Sequence, residues 1–477
     1  MSKRLTQRTI EMIKDVSIVR VANQLGLGPC PERDSKYVQI RCPFHNEKDA
    51  SFTLYKNSNK YLCFGCNEAS DSIELVKKVN RCDYIEALKF VADCGGVVLE
   101  YEEVDAETQK KYDHEDLLER CWQDIIDWCH VRLMKTEKAL AYAVRRWGME
   151  VVEDFRLGYA PENGFELRTF LKGKGYDDAL LCETGCFKES SGTVRPHFQD
   201  RIMIPLMDER NHPKGMAGRD MSGKENVGKY INSIGFDKSS NLFAYYKAKH
   251  RAEGDSTLYM VEGQPDCMTM HKRGFVNCVA FGGASINDKV LAQLAPGGVH
   301  KYTYIYLFLD GDVAGVNATM AIGERLVREG YTVYVIGPAT TFEIGDEKQD
   351  PDSILQRDDW EEEWEKIRKG QMSFFKFYLI NRIRGKYVKK DNEWKAVNAV
   401  DTEVPEQVSA LVSDVVKMMK HTPASARYIH VGELQKVIGN EAIWSAELER
   451  LKNESNKEKR SKKSDDEEGE GGLTDVQ

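Results

Sequence analysis

Apolar and polar positions follow several rhythms along this chain, and each predicts a different element. From Arg8 to Leu25, "RTIEMIKDVSIVRVANQL" repeats its apolar residues at helical spacing and predicts one helix. "SFTLY" (51–55) and "KYLCF" (60–64) flank the polar "KNSNK", the signature of a short hairpin. Helical spacing returns from about Ser72 to Cys94, then in "LLERCWQDIIDWCHVRLM" and "KALAYAVRRWGM". Residues 95–116, "GGVVLEYEEVDAETQKKYDHED", are polar and acidic and read as a linker.

From about Phe155 the pattern becomes mixed, with "DRIMIPLMD" (200–208) as a strand. Between Ser256 and Pro338 apolar strands alternate with helices: "LYMVEG", a helix through His271, "VNCVAFGG", a helix through Leu294, "YIYLFLDGD", a helix through Arg328, and "TVYVIG". Such alternation implies a parallel sheet with helices on its faces. Ligands of such sheets gather at the carboxyl ends of the strands, where Glu262, Asp310 and Asp312 stand. After Trp360 the spacing reads helical to about Lys452. From Asn453 a basic run and then an acidic one lack apolar anchors, the composition of a disordered tail.

Composition narrows the class. A chain of 477 residues, 30% charged and 41% hydrophobic, is globular and long enough for roughly two to four domains. Its longest apolar stretches, such as "YTYIYLFLD" (302–310), fall well short of the roughly 20 residues a membrane helix needs. The N-terminus has no secretory pattern, so the cytoplasm is the expected compartment and membrane partners are not expected. Thiols stay reduced there, and Cys82, Cys94, Cys121, Cys129, Cys267 and Cys278 read as small buried hydrophobes. The net charge of −9 does not exclude a nucleic-acid partner, because binding depends on local patches. The tail "SDDEEGEGG" and the run "EEEWE" (361–365) supply much of the negative charge.

Chemistry enters with two hooks. Cys42-x2-His45 and Cys63-x2-Cys66 are separated by seventeen residues, enough for the predicted hairpin. Two tight turns then present four ligands to one ion, a closed tetrahedral Zn²⁺ site of the structural kind, on a zinc ribbon. Cys30 has no hook partner and is assigned to a loop. Around the hooks Lys36, Arg41, Lys48, Lys56 and Lys60 interleave with Phe44, Phe52, Tyr55, Tyr61 and Phe64. Two readings stand side by side: cations on phosphates with rings under single-stranded bases, or a solvated surface over a small aromatic core.

Carboxylates form the second constellation. Glu262 is followed one helical turn later by Asp266; Asp310 and Asp312 share "FLDGDVAG"; Asp350 and Asp352 share "DPDSIL". Six carboxylates converging from three loops repel one another unless cations sit among them. Oxygen ligands of this type favour Mg²⁺ or Mn²⁺. Two such ions can activate an attacking oxygen and stabilise a leaving one in phosphoryl or nucleotidyl transfer.

Glu262-Gly263 followed by Asp310-Gly311-Asp312 resembles the TOPRIM fold of DnaG-type primases, topoisomerases and certain nucleases. With the ribbon upstream, the order resembles the bacterial and phage DnaG-type DNA primase family, over roughly residues 8–95 and 138–440. "FRLGYAPEN" (155–163), "DRIMIPLMDERNHPKGMAGR" (200–219), "KYINS" (229–233) and "DPDSIL" (350–355) read like that family's core segments.

The resemblance implies a multidomain α/β chain. Its parts would be a zinc-ribbon domain with flanking helices (1–100), a linker and helix (101–137), and the N-terminal part of a mixed α/β primase core (138–255). A TOPRIM parallel-sheet domain (256–358), a helical subdomain (359–452) and a disordered tail (453–477) would follow. The implied activity is synthesis of short RNA primers on single-stranded DNA from ribonucleoside triphosphates. One structural zinc and two or more Mg²⁺ or Mn²⁺ ions would be the cofactors.

By the same resemblance Glu262 is the catalytic acid and a metal ligand, joined by Asp310, Asp312 and Asp350, with Asp266 and Asp352 as supporting ligands. Arg201, Arg219, Lys229, Asn232, Ser233 and Lys238 would hold template and nucleotide. Some positions depart from the pattern. Trp147 stands where a basic residue usually precedes the glycine, Gln199 where a second arginine is common, and "CNEASDS" lacks the glycines that usually follow the last zinc cysteine. By the resemblance, the helicase-binding C-terminal domain is expected to be much shortened or missing, which would put ordinary docking to a replicative helicase in question and suggest a phage or mobile-element version in a bacterial host. Rival expectations are a TOPRIM nuclease or topoisomerase cutting DNA with the same carboxylates, and a non-catalytic single-stranded-DNA-binding module.

Overall fold

A computed structural model of the chain describes residues 2–31, 37–56, 59–66, 68–238, 241–249, 256–283, 285–295, 300, 302–343, 347–390 and 393–454. Lys36 and most of the tail expected from Asn453 lie outside the described residues. The described residues gather into two compact units, Met1–Phe236 and Asp237–Gln477.

In the first unit the predicted hairpin is the centre of a four-stranded antiparallel sheet. Phe52–Tyr55 and Lys60–Cys63 pair with each other, Tyr37–Ile40 lies outside the first and Ala69–Asp71 outside the second. The register sets Ile40 opposite Phe52 and Phe52 opposite Cys63, so both hooks leave the same end of the sheet. Phe52, Tyr55 and Tyr61 are buried, with Phe52 stacked on Tyr61 at 4.7 Å and Phe44 edge-on to Phe52 at 5.7 Å. Four of the five interleaved rings thus form a core. Only Phe64, 46% exposed, remains at the surface.

The helix expected from Arg8 to Leu25 is two helices, Gln7–Lys14 and Ile18–Gln24. Asn59, in the ribbon's turn, explains the break. Its amide donates to the carbonyls of Lys14 and Val16 and accepts the N–H of Ile18, replacing the helical bonds that stop there. Helices Ser72–Asn80 and Tyr84–Gly95 follow as expected.

The stretch 95–116, expected to be a linker, is instead ordered. Tyr101–Val104 pairs antiparallel with Ser2–Leu5. Asp105 then accepts the N–H groups of Glu107 and Thr108 and caps a helix running Ala106–Lys135. Cys121, Ile125 and Cys129 of this helix are buried with Phe198 and with Met203 and Met216 on a second antiparallel sheet. Its strand order is Tyr230–Asn232, Pro213–Asp220, Arg201–Met207, Gly158–Ala160.

The second unit carries the alternating segment. Cys278–Ala280, Thr257–Val261, Tyr304–Leu307 and Thr332–Val335 form a parallel sheet in that order, with Met372–Ser373 antiparallel at the edge. Leu258, Ile305, Leu307 and Val335 bury one core with Ile322 and Leu326 of the helix Val313–Arg328 and with Phe374. The region after Trp360 is not wholly helical: besides the edge strand, Lys386–Lys390 and Glu393–Val397 form a hairpin. Helices Phe374–Arg384, Pro405–Met418 and Ala424–Leu434 complete the unit, and a last helix spans 441–454. No helix of the described residues is long and apolar enough to cross a membrane.

Candidate functional site

The hooks meet. One ligand atom from each of Cys42, His45, Cys63 and Cys66 lies within 4.8 Å of all the others. Cys42 Sγ stands 3.8 Å from Cys66 Sγ, and Cys63 Sγ 3.8 Å from His45 Nδ1. Sulfur ligands about 2.3 Å from a tetrahedral centre stand roughly 3.8 Å apart, so the residues fit zinc. Cys30 is buried outside this group and holds Asn23 through its backbone.

A residue that the spacing does not reveal organises the ligands. Glu47 Oε2 lies 3.1 Å from His45 Nε2, which leaves Nδ1 to face the metal position. Its Oε1 accepts the Cys42 N–H at 2.6 Å and the Ser51 N–H at 3.1 Å, and its other oxygen accepts the Ser51 hydroxyl. The Ser51 bond, more than any other contact, holds the Glu47 carboxyl below the usual carboxylate range. Between the last two cysteines, Gly65 has no room for a side chain: a methyl there would come within 2.5 Å of His45 Nε2.

The carboxylates also converge, but in two layers. Glu262 follows the strand Thr257–Val261, and Gly263 opens the helix Gln264–Lys272. Asp266 Oδ2 accepts the Gly263 N–H at 3.1 Å, while Oδ1 accepts the Asp352 N–H at 3.1 Å. Asp352 in turn accepts the Thr269 hydroxyl and the Gln356 amide. Both carboxylates are buried and tie loops together. Asp350 caps the turn Pro351–Leu355 by accepting the Ser353 N–H at 2.6 Å.

The outer layer is Glu262, Asp310 and Asp312. Asp312 Oδ1 caps the helix Val313–Arg328 through the Gly315 N–H at 2.8 Å. Lys348 bridges Asp310 Oδ2 at 2.6 Å and Asp312 Oδ2 at 2.8 Å. The other oxygen of Asp310, Oδ1, is buried with no hydrogen-bond partner. Gly315 lets the turn close, since a methyl on it would lie 2.1 Å from the Asp310 carbonyl oxygen.

Electrostatics separates these groups. Burial, then the neighbouring Asp310, pushes Glu262 above the ordinary carboxylate range. Burial likewise raises Asp310 despite Lys348, and raises Asp266 far more, reinforced by Asp310 and Asp352. Burial also pushes up on Asp312, but the Lys348 ammonium and the Gly315 N–H outweigh it and bring the group below its ordinary value. A divalent cation is the species that satisfies an orphaned carboxylate oxygen among mutually repelling acids. Among the described residues only the Cys/His group gathers three or more ligand atoms within 4.8 Å, so the carboxylates stand further apart than the zinc ligands do.

The residues assigned to template and nucleotide fall in both units. Arg201 is buried, donating to the carbonyls of Gly218 and Gly228 at 2.9 and 3.0 Å, so it braces its sheet. Ser233 is buried too and accepts the Met216 N–H at 3.1 Å. Arg219 lies 5.5 Å from the Tyr230 ring centre and 6.0 Å from that of Tyr142. Its Nε is a buried donor without a hydrogen-bond partner, as is Asn232 Nδ2. Lys229 is exposed. Lys238, also exposed, belongs to the second unit, where its backbone lies against Gly282, whose N–H donates to the Glu262 carbonyl at 2.9 Å. Trp147 is fully buried, with the Arg146 guanidinium 5.5 Å from its ring.

Known proteins carry the same parts. Residues 5–107 match the CHC2 zinc finger family, 128–249 the N-terminal domain of the DNA primase catalytic core, and 256–337 the Toprim domain. The DNA primase of Chlamydia trachomatis is 27% identical over 423 residues, covering 87% of this chain and 65% of that protein. That of Clostridium acetobutylicum is 29% identical over 381 residues, covering 78% and 61%. The chain therefore spans less than two thirds of the length of these relatives. Among solved structures, the zinc-binding and RNA polymerase domains of the Aquifex aeolicus primase share the fold with a TM-score of 0.63 at 23% identity, over 91% of this chain and 97% of that one. A DnaG primase catalytic domain solved with single-stranded DNA gives 0.53 at 21% identity, over 68% and 98%. A CHC2 zinc finger, a primase core and a Toprim domain thus follow one another along one polypeptide, the domain order that the DnaG-type primases share.

Proposed function

We propose that this chain is a DNA-dependent RNA polymerase that makes short RNA primers on a single-stranded DNA template. The observation that carries the reading is the outer acidic layer, with Asp310 Oδ1 buried and unpartnered at the carboxyl edge of the parallel sheet. Glu262, Asp310 and Asp312 would hold Mg²⁺ or Mn²⁺, two ions or more, with Asp350 beside them. Bound there, the ions would lower the pKa of a ribonucleotide 3′-hydroxyl and stabilise departing pyrophosphate.

The chain's own groups position the reactants. Arg219 Nε and Asn232 Nδ2 offer buried donors that an acceptor on template or triphosphate would satisfy. Exposed Lys229 and Lys238 supply charge for phosphates. Arg201 and Ser233 contribute by fixing the strands that carry Arg219 and Asn232. The zinc ribbon engages template, with Phe64 as the ring available to stack on a base. A solved relative in complex with single-stranded DNA supports the template class, and a bacterial cytoplasm is the compartment where such a substrate is met.

The test is incubation of the full chain with single-stranded DNA, four ribonucleotides and Mg²⁺ or Mn²⁺. Short labelled RNA is expected, and Glu262→Gln should abolish it while DNA binding persists. Strand scission without RNA would favour a nuclease, and binding without either product a non-catalytic module.

A further inference from the structure

We propose that Lys348 is a resident cation of the acidic site: it holds Asp310 and Asp312 together when no divalent ion is bound and competes with that ion for them. The inference rests on the reading of these carboxylates as metal ligands. Three observations carry it. The ammonium sits between one oxygen of each carboxylate, at 2.6 and 2.8 Å, a bridging position between two groups that must share an ion. The backbone places it there. Gly311, between the two aspartates, donates its N–H to the Gln349 carbonyl at 2.7 Å, a bridge that pins the segment beside the Asp310–Asp312 turn. Finally, the side chain is 55% exposed, whereas Asp310 is 10% exposed. The lysine can swing into water while its partners stay.

Neutralisation by lysine is incomplete by design of the site. Lys348 satisfies Oδ2 of Asp310 but leaves Oδ1 buried and bare. A monovalent cation therefore keeps the loop closed without matching what a divalent ion offers, and entry of the ion requires the lysine to leave. Competition of this kind raises the ion concentration at which the site fills, and by reciprocity a bound ion frees the lysine. An ordinary surface ion pair would show neither effect, because its partners have no other claimant.

The test is calorimetric titration of Mn²⁺ into the full, zinc-loaded chain at fixed ionic strength. Lys348→Met should bind Mn²⁺ roughly fivefold tighter than the parent, as removal of a partly exposed ion pair from one side of the competition predicts. It should also melt at a lower temperature without metal and regain more on adding it. Lys348→Gln should shift in the same direction, so a folding defect peculiar to one variant cannot mimic the result. Lys272→Met, which removes a cation bonded to Gln356 rather than to these aspartates, should leave the affinity unchanged. Equal or weaker Mn²⁺ binding by both Lys348 variants would overturn the inference while leaving the metal site standing. Absence of binding in the parent and in the Lys348 variants alike would overturn the metal site and the inference with it.

Discussion

Glu47→Gln isolates what the carboxylate behind His45 and Cys42 does for the zinc site. The substitution keeps shape and volume and removes only the charge and one acceptor. Oriented with its oxygen toward Cys42, the amide still accepts the Cys42 and Ser51 N–H groups now held at 2.6 and 3.1 Å. Its NH₂ then faces the Ser51 hydroxyl and His45 Nε2, where a carboxylate oxygen accepts today. When Nδ1 holds a metal, Nε2 carries the proton, so donor meets donor and the imidazole loses its orienting partner. Flipping the amide moves the same conflict onto the two backbone N–H groups. Loss of such a partner typically weakens metal affinity by about ten- to a hundredfold. The assay is zinc transfer to a colorimetric chelator, followed against chelator concentration for parent and variant. The variant should surrender zinc at correspondingly lower chelator, with its ribbon melting earlier. Retention of zinc equal to the parent would show that the hooks alone fix the histidine and would refute the reasoning.

Other perturbations separate fold from chemistry. Gly315→Ala drives a methyl against the Asp310 carbonyl, nominally 2.1 Å away. Overpacking against backbone should lower stability by about 1–3 kcal/mol and abolish Mn²⁺ binding, measured by melting and titration. Asp352→Asn disturbs a buried tie to Thr269 and Gln356 and should lower the melting temperature with a small effect on metal affinity, whereas Asp310→Asn should do the reverse. His130 is fully buried and donates from Nδ1 to the Leu157 carbonyl, and burial pushes it down to about 3. The unfolded chain takes up that proton near the ordinary value of about 6.5. Its contribution is therefore full above that pH and is lost as pH falls from there toward 3, by up to about 1.4 kcal/mol per pH unit. Melting from pH 7 to 4 should show a flatter profile for His130→Gln than for the parent.

Local pattern was sufficient wherever a single periodicity ran uninterrupted. The ribbon hairpin, the alternating segment from Ser256 and the strand at 201–207 all stand where spacing put them, because alternation and burial demand the same side chains. It was insufficient where a distant partner decides. The break between Lys14 and Ile18 is made by Asn59, more than forty positions away. The strand Tyr101–Val104 exists because Ser2–Leu5 lies beside it. Two signals were present and unread: Asp105 followed by Glu107 and Thr108 is a helix start, and "KYVKKDNEWKAV" alternates on either side of an Asp-Asn pair. At the sites, ligand spacing exposed the zinc residues and the carboxylates, but not Glu47 or Lys348. Neither belongs to a spaced pair; each acts through contacts that only the folded turns create.

The acids that motif spacing groups together divide into two environments. Asp310-x-Asp312 and Asp350-x-Asp352 look alike in sequence, yet their environments set opposite tasks. Asp352 is buried, and its Oδ1 accepts both the Thr269 hydroxyl and the Gln356 amide. Asp266 spends both oxygens on backbone N–H groups, one from its own loop and one from Asp352. These two draw the third loop onto the first. Such bonds are local and neutral in their demands, so burial far from any cation is tolerable, and Asp266 meets it by holding a proton more tightly. Glu262, Asp310 and Asp312 lie outside that network: Lys348 bridges the two aspartates, and Asp310 keeps one buried oxygen with nothing to bind. An inner pair that fixes geometry and an outer trio that stays short of positive charge form a frame that is rigid without being satisfied. On the proposed reading, that combination would let a cation enter the outer layer while the inner pair keeps the frame closed.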